Sequence, residues 1–518
     1  LVFFFLTFIV MKPIHLLFSL PALWLLGFSS TQANPSDTIT HHDYEVSAEV
    51  AIAGDKTPLW MTANRHGISG VSGDYGYLRA KVEGEGILGR KDKRHPWTYG
   101  YGVDLVGGYG MTGSKFFPAQ AYLQANYRAI RFQIGMKENQ LAMKDDRLSS
   151  GSQTFGINAR PVPQVRFEIP EYLSITGKSN WAAIKGHISY GMMTDGNWQE
   201  KYTRNSLYHY SKNGLYHSKA GYLRIGNENK FPLTFEGGLE MATQFGGTSY
   251  RVHDREDLRD QPVKMPHNFR AFFDALFCLG GDPTDGVYTN VAGNTLGSWL
   301  LALNYKGKNW RARVYYDHFF EDHSMMFLEY GWKDGLIGAE LELPRNPVVS
   351  KVVYEHLYTK YQAGPIYHDH NDVIPDQVSG VDNYYNHHIY AGWEHWGQGF
   401  GNPLIVSPLY RADGTLNFNS NRVKAHHIGL MGSPTAEWDY RVLASFMQSW
   451  GTYAHPFDEI RRNASLLCEV SYRPQFSRTG HFAKGWQFTA AWAMDRGSLI
   501  GDNNAFSLKV TKSGLFCK

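Results

Sequence analysis

The strongest constraint in this chain is a two-residue rhythm. In Leu78-Arg79-Ala80-Lys81-Val82-Glu83-Gly84-Glu85-Gly86 the even positions are apolar or small, and the odd positions are Arg, Lys, Glu and Glu. In Trp310-Arg311-Ala312-Arg313-Val314-Tyr315-Tyr316-Asp317 one face carries Trp310, Ala312, Val314 and Tyr316. The other face carries Arg311, Arg313 and Asp317. Trp486, Phe488, Trp492 and Met494 align in the same way near the C-terminus. Similar stretches lie near 44–52, 121–136, 181–193, 298–305, 336–343, 437–448 and 504–512. A pleated strand points alternate side chains to opposite faces, so each segment has one greasy and one charged side.

Two architectures use such strands. A soluble sandwich buries the apolar face, whereas a membrane barrel turns it to lipid and keeps the polar face for its lumen. Segment length decides between them, because many runs approach the about 9–11 residues that cross a bilayer. Aromatics at segment ends (Trp97, Trp181, Trp310, Trp486, Tyr127 and Tyr190) suit an interfacial girdle. Composition agrees: 15% aromatic, 53 Gly and 32 Tyr favour strands and turns. At about 25 residues per strand and connection, the chain makes about 16 to 20 strands. The expected fold class is all-β: a closed antiparallel transmembrane β-barrel of about 18 strands, with long loops at 137–180, 194–215, 248–297, 361–384 and 396–422, some folded into the lumen.

Hydropathy excludes other classes. With 43% hydrophobic residues and a mean hydropathy of −0.38, the chain lacks the repeated apolar runs of a polytopic helical protein. A net charge of +3 gives no field for nucleic acid. Residues 1–28 hold the one long apolar stretch, broken by Lys12, Pro13, His15 and Pro21. Met11-Lys12, the apolar core through Leu26 and Thr31-Gln32-Ala33 follow signal-peptide grammar. Residues 1–33 are therefore read as an over-extended start plus a cleaved signal peptide, and 34–518 as the barrel. Cys278, Cys468 and Cys517 are too few for a disulfide framework. Stability is expected from the closed hydrogen-bonded wall.

Four segments are more specific. They are Pro58-Leu59-Trp60-Met61-Thr62-Ala63-Asn64; Ser150-Gly151-Ser152-Gln153-Thr154-Phe155-Gly156-Ile157-Asn158-Ala159-Arg160-Pro161-Val162-Pro163-Gln164; Tyr384 to Trp393 continuing to Gly397-Gln398-Gly399-Phe400-Gly401-Asn402-Pro403-Leu404; and Asp495-Arg496-Gly497-Ser498-Leu499-Ile500-Gly501-Asp502-Asn503. Together they resemble the Wzi-type capsule assembly family, in its Bacteroides-like branch. The resemblance implies a non-enzymatic, lectin-like barrel of about 18 strands in the outer membrane of a Gram-negative bacterium. It would hold capsular or related surface polysaccharide and assist capsule assembly. Its partners would be that polymer, outer-membrane lipid and the barrel insertion machinery, with no nucleic acid and no cofactor. Family members carry a helical bundle before the barrel, but here Tyr44 to Val50 is strand-like. The chain also departs from barrels that end on an aromatic, since Cys517 and Lys518 follow Phe516.

Candidate binding residues are Asn158, Arg160, Tyr384, Tyr385, Trp393, His395 and Trp396. Sugars lie on aromatic faces while Asn, Arg and His fix their hydroxyls. The same residues could instead form interfacial aromatics and an inward-folded constriction. His368-Asp369-His370 has metal-ligand residue types, but it and the pairs His41-His42, His387-His388 and His426-His427 read as polar hydrogen-bonding residues, so no metal is expected. No G-x-S-x-G elbow occurs, and the carboxylate pairs Asp145-Asp146 and Glu321-Asp322 read as solvated, so no catalytic residue is assigned. A porin or transport channel is the alternative function, and an outer-membrane hydrolase the third.

Overall fold

The computed structural model describes residues 41–516, except 89–95, 254–260, 280–292, 322–325, 327–332, 369–371, 374, 376–377, 379 and 476–483. The expected signal peptide, Asp369, His370 and Cys517 lie outside the described residues. Eighteen antiparallel strands form one sheet. They are β1 (His41–Ala53), β2 (Tyr75–Leu88), β3 (Trp97–Tyr109), β4 (Phe116–Tyr127), β5 (Ile130–Met136), β6 (Gln164–Ser174), β7 (Ala182–Met192), β8 (Leu215–Ile225) and β9 (Leu233–Phe245). They continue with β10 (Asn294–Lys306), β11 (Arg311–Glu321), β12 (Gly335–Glu342), β13 (Lys351–Tyr358), β14 (Val423–Gly432), β15 (Trp438–Gly451), β16 (Pro456–Tyr472), β17 (Trp486–Gly497) and β18 (Asn503–Leu515). β1 pairs with β18 from Asp43↔Leu515 to Ala53↔Ala505, which closes the cylinder. Closure leaves no sheet edge to solvate.

The two-residue rhythm becomes two walls. Leu78 is 67% exposed on the outside, whereas Asp104, inside on the neighbouring strand, is fully buried. Arg79 points inward and binds that Asp104 carboxylate. Val314 on β11 and Phe488 on β17 face outward, while Asp317 and Asp495 on the same strands are buried inside. These carboxylates therefore stay off the outer, lipid-facing wall, where they would be costly.

The two ends differ. β4–β5 and β10–β11 are joined by short turns at the end where β1 begins and β18 finishes. The other end carries the long connections 54–74, 137–163, 193–214, 246–293 and 359–422. In barrels of this class the short turns are periplasmic and the long loops external. The short-turn end bears an aromatic girdle: Trp97 stacks on Tyr127 at 4.9 Å, Tyr305 on Trp310 at 5.1 Å, and Trp438 packs on Tyr472 at 4.6 Å.

Four local readings change. The segment 121–136 is a hairpin rather than one strand, because Arg128 takes a left-handed φ of 53° in the turn after Tyr127. The stretch 137–180 conceals β6, whose Val165, Phe167 and Ile169 alternate but whose register slips before Leu173, beside Pro170. The stretch 248–297 holds a helix, Phe269–Phe277, capped by Asn268 accepting from the Ala271 N–H. That helix lies on the outer wall. The Tyr190 hydroxyl donates to Phe272 O at 2.8 Å, and Lys219 reaches the last-turn carbonyl of Leu276. Tyr190 is therefore a buttress under this helix, not a girdle residue. The helix leaves Phe269, Phe273 and Phe277 exposed in a row, Phe269 edge-on to Phe273 and Phe273 parallel to Phe277.

Candidate functional site

The lumen is occupied on its outer side by the chain's own loops. Residues 148–154 and 389–408 are almost all buried, and Trp60, Leu148, Trp393 and Leu404 join wall residues Phe319, Leu357 and Val423 in one apolar core. A plug this size must satisfy its backbone polar groups, because loop backbone away from water is costly. The wall meets the plug's backbone and side-chain donors with five inward carboxylates. Glu49 on β1 takes Arg65 at 2.8 and 2.5 Å and the Tyr77 hydroxyl at 2.7 Å. Asp317 on β11 takes Lys144 at 2.5 Å and the Gln153 N–H at 3.2 Å. Glu321 accepts from the Tyr385 N–H at 2.5 Å, and Glu355 on β13 from Ser149 and the Ser150 N–H, both at 2.6 Å. Asp495 on β17 accepts from the Leu59 N–H at 3.1 Å. Neutral bonds add Trp60 Nε1 to Ser445 on β15, His427 on β14 to Leu148 O, and Thr154 to Ser298 on β10. The plug is thus tied to seven strands: β1, β10, β11, β13, β14, β15 and β17.

The seven residues singled out in the sequence come together inside this plug. Asn158 donates to Gly399 O at 3.0 Å and accepts from the Asn64 N–H at 3.2 Å. The Arg160 guanidinium lies 3.5 Å from the Phe117 ring centroid and 4.9 Å from that of Trp396. Burial holds it below the usual arginine range, at about 9, with Asp195 opposing. Tyr384 donates to Asp334 at 2.9 Å, Tyr385 to Gln153 O at 2.5 Å, and Trp393 Nε1 to Thr154 O at 3.2 Å. His395 Nδ1 contacts Arg160 O at 2.9 Å, which assigns the proton to that nitrogen and leaves Nε2 to accept from Thr194 Oγ1 at 2.9 Å. Burial keeps this imidazole neutral by pushing its pKa down. Burial also raises Asp334 to about 6, against the three donors from Tyr361, Gln362 and Tyr384. Six of the seven are buried, and Trp396 is half-buried.

Glycine lets the segments approach. A Cβ at Gly401 would fall 2.4 Å from Gln153 O and 2.0 Å from the Tyr385 hydroxyl. A Cβ at Gly397, with φ of +78°, would fall 2.6 Å from Leu409 and from Trp198. Tyr385 and Trp396 themselves sit at φ of 67° and 58°, a cost that the surrounding bonds must outweigh.

The plug meets solvent at an aromatic ledge that the sequence reading missed, apart from Trp396. The short helix Gly196–Tyr202 places Trp198 and Tyr202 one turn apart, stacked at 5.0 Å, with Trp396 at 6.1 Å from Trp198. Beneath them Gln199 bridges Asp195 at 3.1 Å and Glu394 at 2.8 Å. Burial and Asp195 raise the Glu394 pKa well above the carboxylate range. Among the described residues Asp195 Oδ1 and the Tyr202 hydroxyl are buried with no hydrogen-bond partner, which leaves polar capacity beside the rings. The W-x-x-x-Y spacing was the available signal.

The lumen toward the short turns is charged and hollow. One cavity of about 330 Å³ is lined by Arg131, Lys137, Arg166, Glu168 and Lys185. Another of about 460 Å³ is lined by Arg65, Arg147, Arg441, Glu469 and Lys509. A third, about 400 Å³, has Lys144, Arg224, Arg313, Glu340 and Lys351. Among the described residues no group of His, Cys, Asp and Glu is placed to hold a metal ion. The Thr194–His395 contact joins a hydroxyl to an imidazole, but a backbone carbonyl rather than a carboxylate orients the ring, an arrangement that positions the loop.

No family model matches the chain, and no curated protein does. Among solved structures it is similar to Wzi of Escherichia coli, an outer-membrane protein involved in group 1 capsule assembly and described as a carbohydrate-binding β-barrel. Identity is 12%, covering 90% of this chain and 83% of that one, with a TM-score of 0.53. It is also similar to OccK2 (OpdF) of Pseudomonas aeruginosa, at 8% identity over 92% and 98% of the two chains with a TM-score of 0.48. OprD of Pseudomonas aeruginosa follows at 11% identity over 95% and 100%, with a TM-score of 0.45. At these identities the likeness is one of fold: the chain has the architecture of an outer-membrane β-barrel.

Proposed function

We propose that this protein is a closed, non-enzymatic outer-membrane barrel that holds capsular or related polysaccharide at the cell surface, as a distant member of the Wzi-type group. The observation that carries the reading is the plug, which fills the outer lumen and presents an aromatic ledge at its solvent face. In this reading Asn158, Arg160, Tyr384, Tyr385, Trp393 and His395 fix the plug, while Trp396 and Trp198 offer ring faces to sugar. Weak contacts repeated along a polymer would add by avidity. Fold likeness to a carbohydrate-binding barrel supports it. Deleting the gene should release surface polymer into the medium. Purified Trp198→Ala protein should bind the cell's own polysaccharide about two- to tenfold more weakly, the worth of one aromatic face. Polymer retained at its normal level in the deletion strain would refute the reading.

A transport channel is the second reading. The three charged cavities of the inner lumen favour it, since they would suit a hydrated path for a polar solute.

A further inference from the structure

The outer wall of β13–β16 changes character in register. Directly opposed outward residues form rows across the strands. The row Tyr354, Ile428, Ala444 and Leu466 is apolar apart from one hydroxyl. The next row toward the long loops is His356, His426, Phe446 and Ala464. The third is Tyr358, Lys424, Gln448 and Arg462. Beyond it stand Lys360, Arg422 and Trp450, joined by Trp450 N–H to Arg422 O at 3.0 Å and Arg422 Nε to Lys360 O at 3.1 Å. Within three steps the wall passes from hydrocarbon-like to cationic.

These cations differ from the carboxylate-paired cations of the lumen, although lumen Lys137, Lys185 and Arg224 also lie over tyrosine rings. Arg65, Arg79, Lys144 and Lys351 each meet a carboxylate inside the barrel. Among the described residues Lys360, Arg422, Lys424 and Arg462 form no such pair. Asp458 lies on the outward side of β16 beyond Arg462 without pairing to it, and the buried Asp334 opposes Arg422 only at longer range. Instead Lys360 sits 4.2 Å over the Trp450 ring and Arg422 3.9 Å over the Tyr453 ring. Lys424 and Arg462 are exposed. Aromatic stacking holds a cation in place without neutralising it.

We propose that this belt binds the phosphate-bearing headgroup of outer-leaflet lipid. An anionic group is called for by four cations without carboxylate partners, and a lipid source by the belt's place on the apolar wall. A surface polymer would engage the loop face, not the wall one row above the hydrocarbon. The same phosphate chemistry could come from free phosphate, which has no acyl chains to hold it at that wall. The inference is independent of the polysaccharide reading.

The test uses the full-length barrel in detergent, with lipid retention read by native mass spectrometry. The probes are bis-phosphorylated lipid A, the same lipid stripped of both phosphates, and inorganic phosphate. The variant is Lys360→Gln/Lys424→Gln/Arg462→Gln, and the heat-dependent gel shift of the barrel checks that it folds. Bis-phosphorylated lipid should bind the native protein at least tenfold better than the stripped lipid. Each cation removed should cost about fivefold, so the triple variant should lose about a hundredfold. Equal binding of the two lipids, or a folded variant that binds like the native protein, overturns the proposal. So does displacement of lipid by micromolar inorganic phosphate, or binding of an anionic polysaccharide to the belt where lipid A does not bind. If the triple variant misfolds, Lys424→Gln alone, exposed and without side-chain bonds among the described residues, should still show its fivefold loss, and no loss overturns the proposal.

Discussion

Replacing Lys144 by Met is expected to undock the plug loop 137–163 at a cost of about 3–5 kcal/mol. The Lys144 and Asp317 side chains are each 1% exposed and lie 2.5 Å apart. Removing only the ammonium strands a carboxylate in a water-poor site, and that desolvation cost exceeds the worth of the pair itself. Asp317 also accepts from the Gln153 N–H, and the Gln153 side-chain amide donates to Asp317 O at 2.6 Å. The segment that supplies Trp393's partner Thr154 is thereby held by the same carboxylate. Hydrogen exchange at residues 148–154, followed in detergent or nanodiscs, reports the opening free energy. The double variant Lys144→Met/Asp317→Asn should recover most of the loss, because Asn keeps an acceptor for Gln153 without a charge. Equal exchange in Lys144→Met and native protein would show that the pair does not latch the plug.

Trp393→Ala is the second large effect, also about 3–5 kcal/mol. Trp393 is wholly buried, stacks near Tyr216 at 6.1 Å, packs tilted on Phe400 at 4.7 Å, and donates to Thr154 O. Truncation leaves a cavity and an orphaned carbonyl. Exchange should accelerate throughout 389–408, while Trp198→Ala, on the ledge, should leave it nearly unchanged. A Trp393→Ala protein with native exchange but weakened sugar binding would move Trp393 from the plug to the binding face.

The wall was legible in the sequence because its physics is local. Leu78 and Arg79 differ in which side of the sheet they occupy, and a period of two reports that directly. The plug was legible only in composition. Tyr385 meets Glu321 and Gln153, far apart in sequence, and no local pattern encodes such pairings. Hence Asn158, Arg160 and Trp393 could be picked out as unusual, while their burial could not. The helix Phe269–Phe277 was missed although Phe269, Phe273 and Phe277 recur at helical spacing; in a chain dominated by strands, that short run was read as loop. β6 was hidden by Pro161, Pro163 and Pro170, which mimic loop punctuation around a strand that alternates.

The central claim is a lumen closed by its own loops, and ion conductance of the native protein in planar bilayers tests it most directly. The account predicts a quiet membrane with no steady single-channel steps, and steps appearing when Lys144→Met undocks the plug. Stable, long-lived channels from the unaltered protein would contradict it.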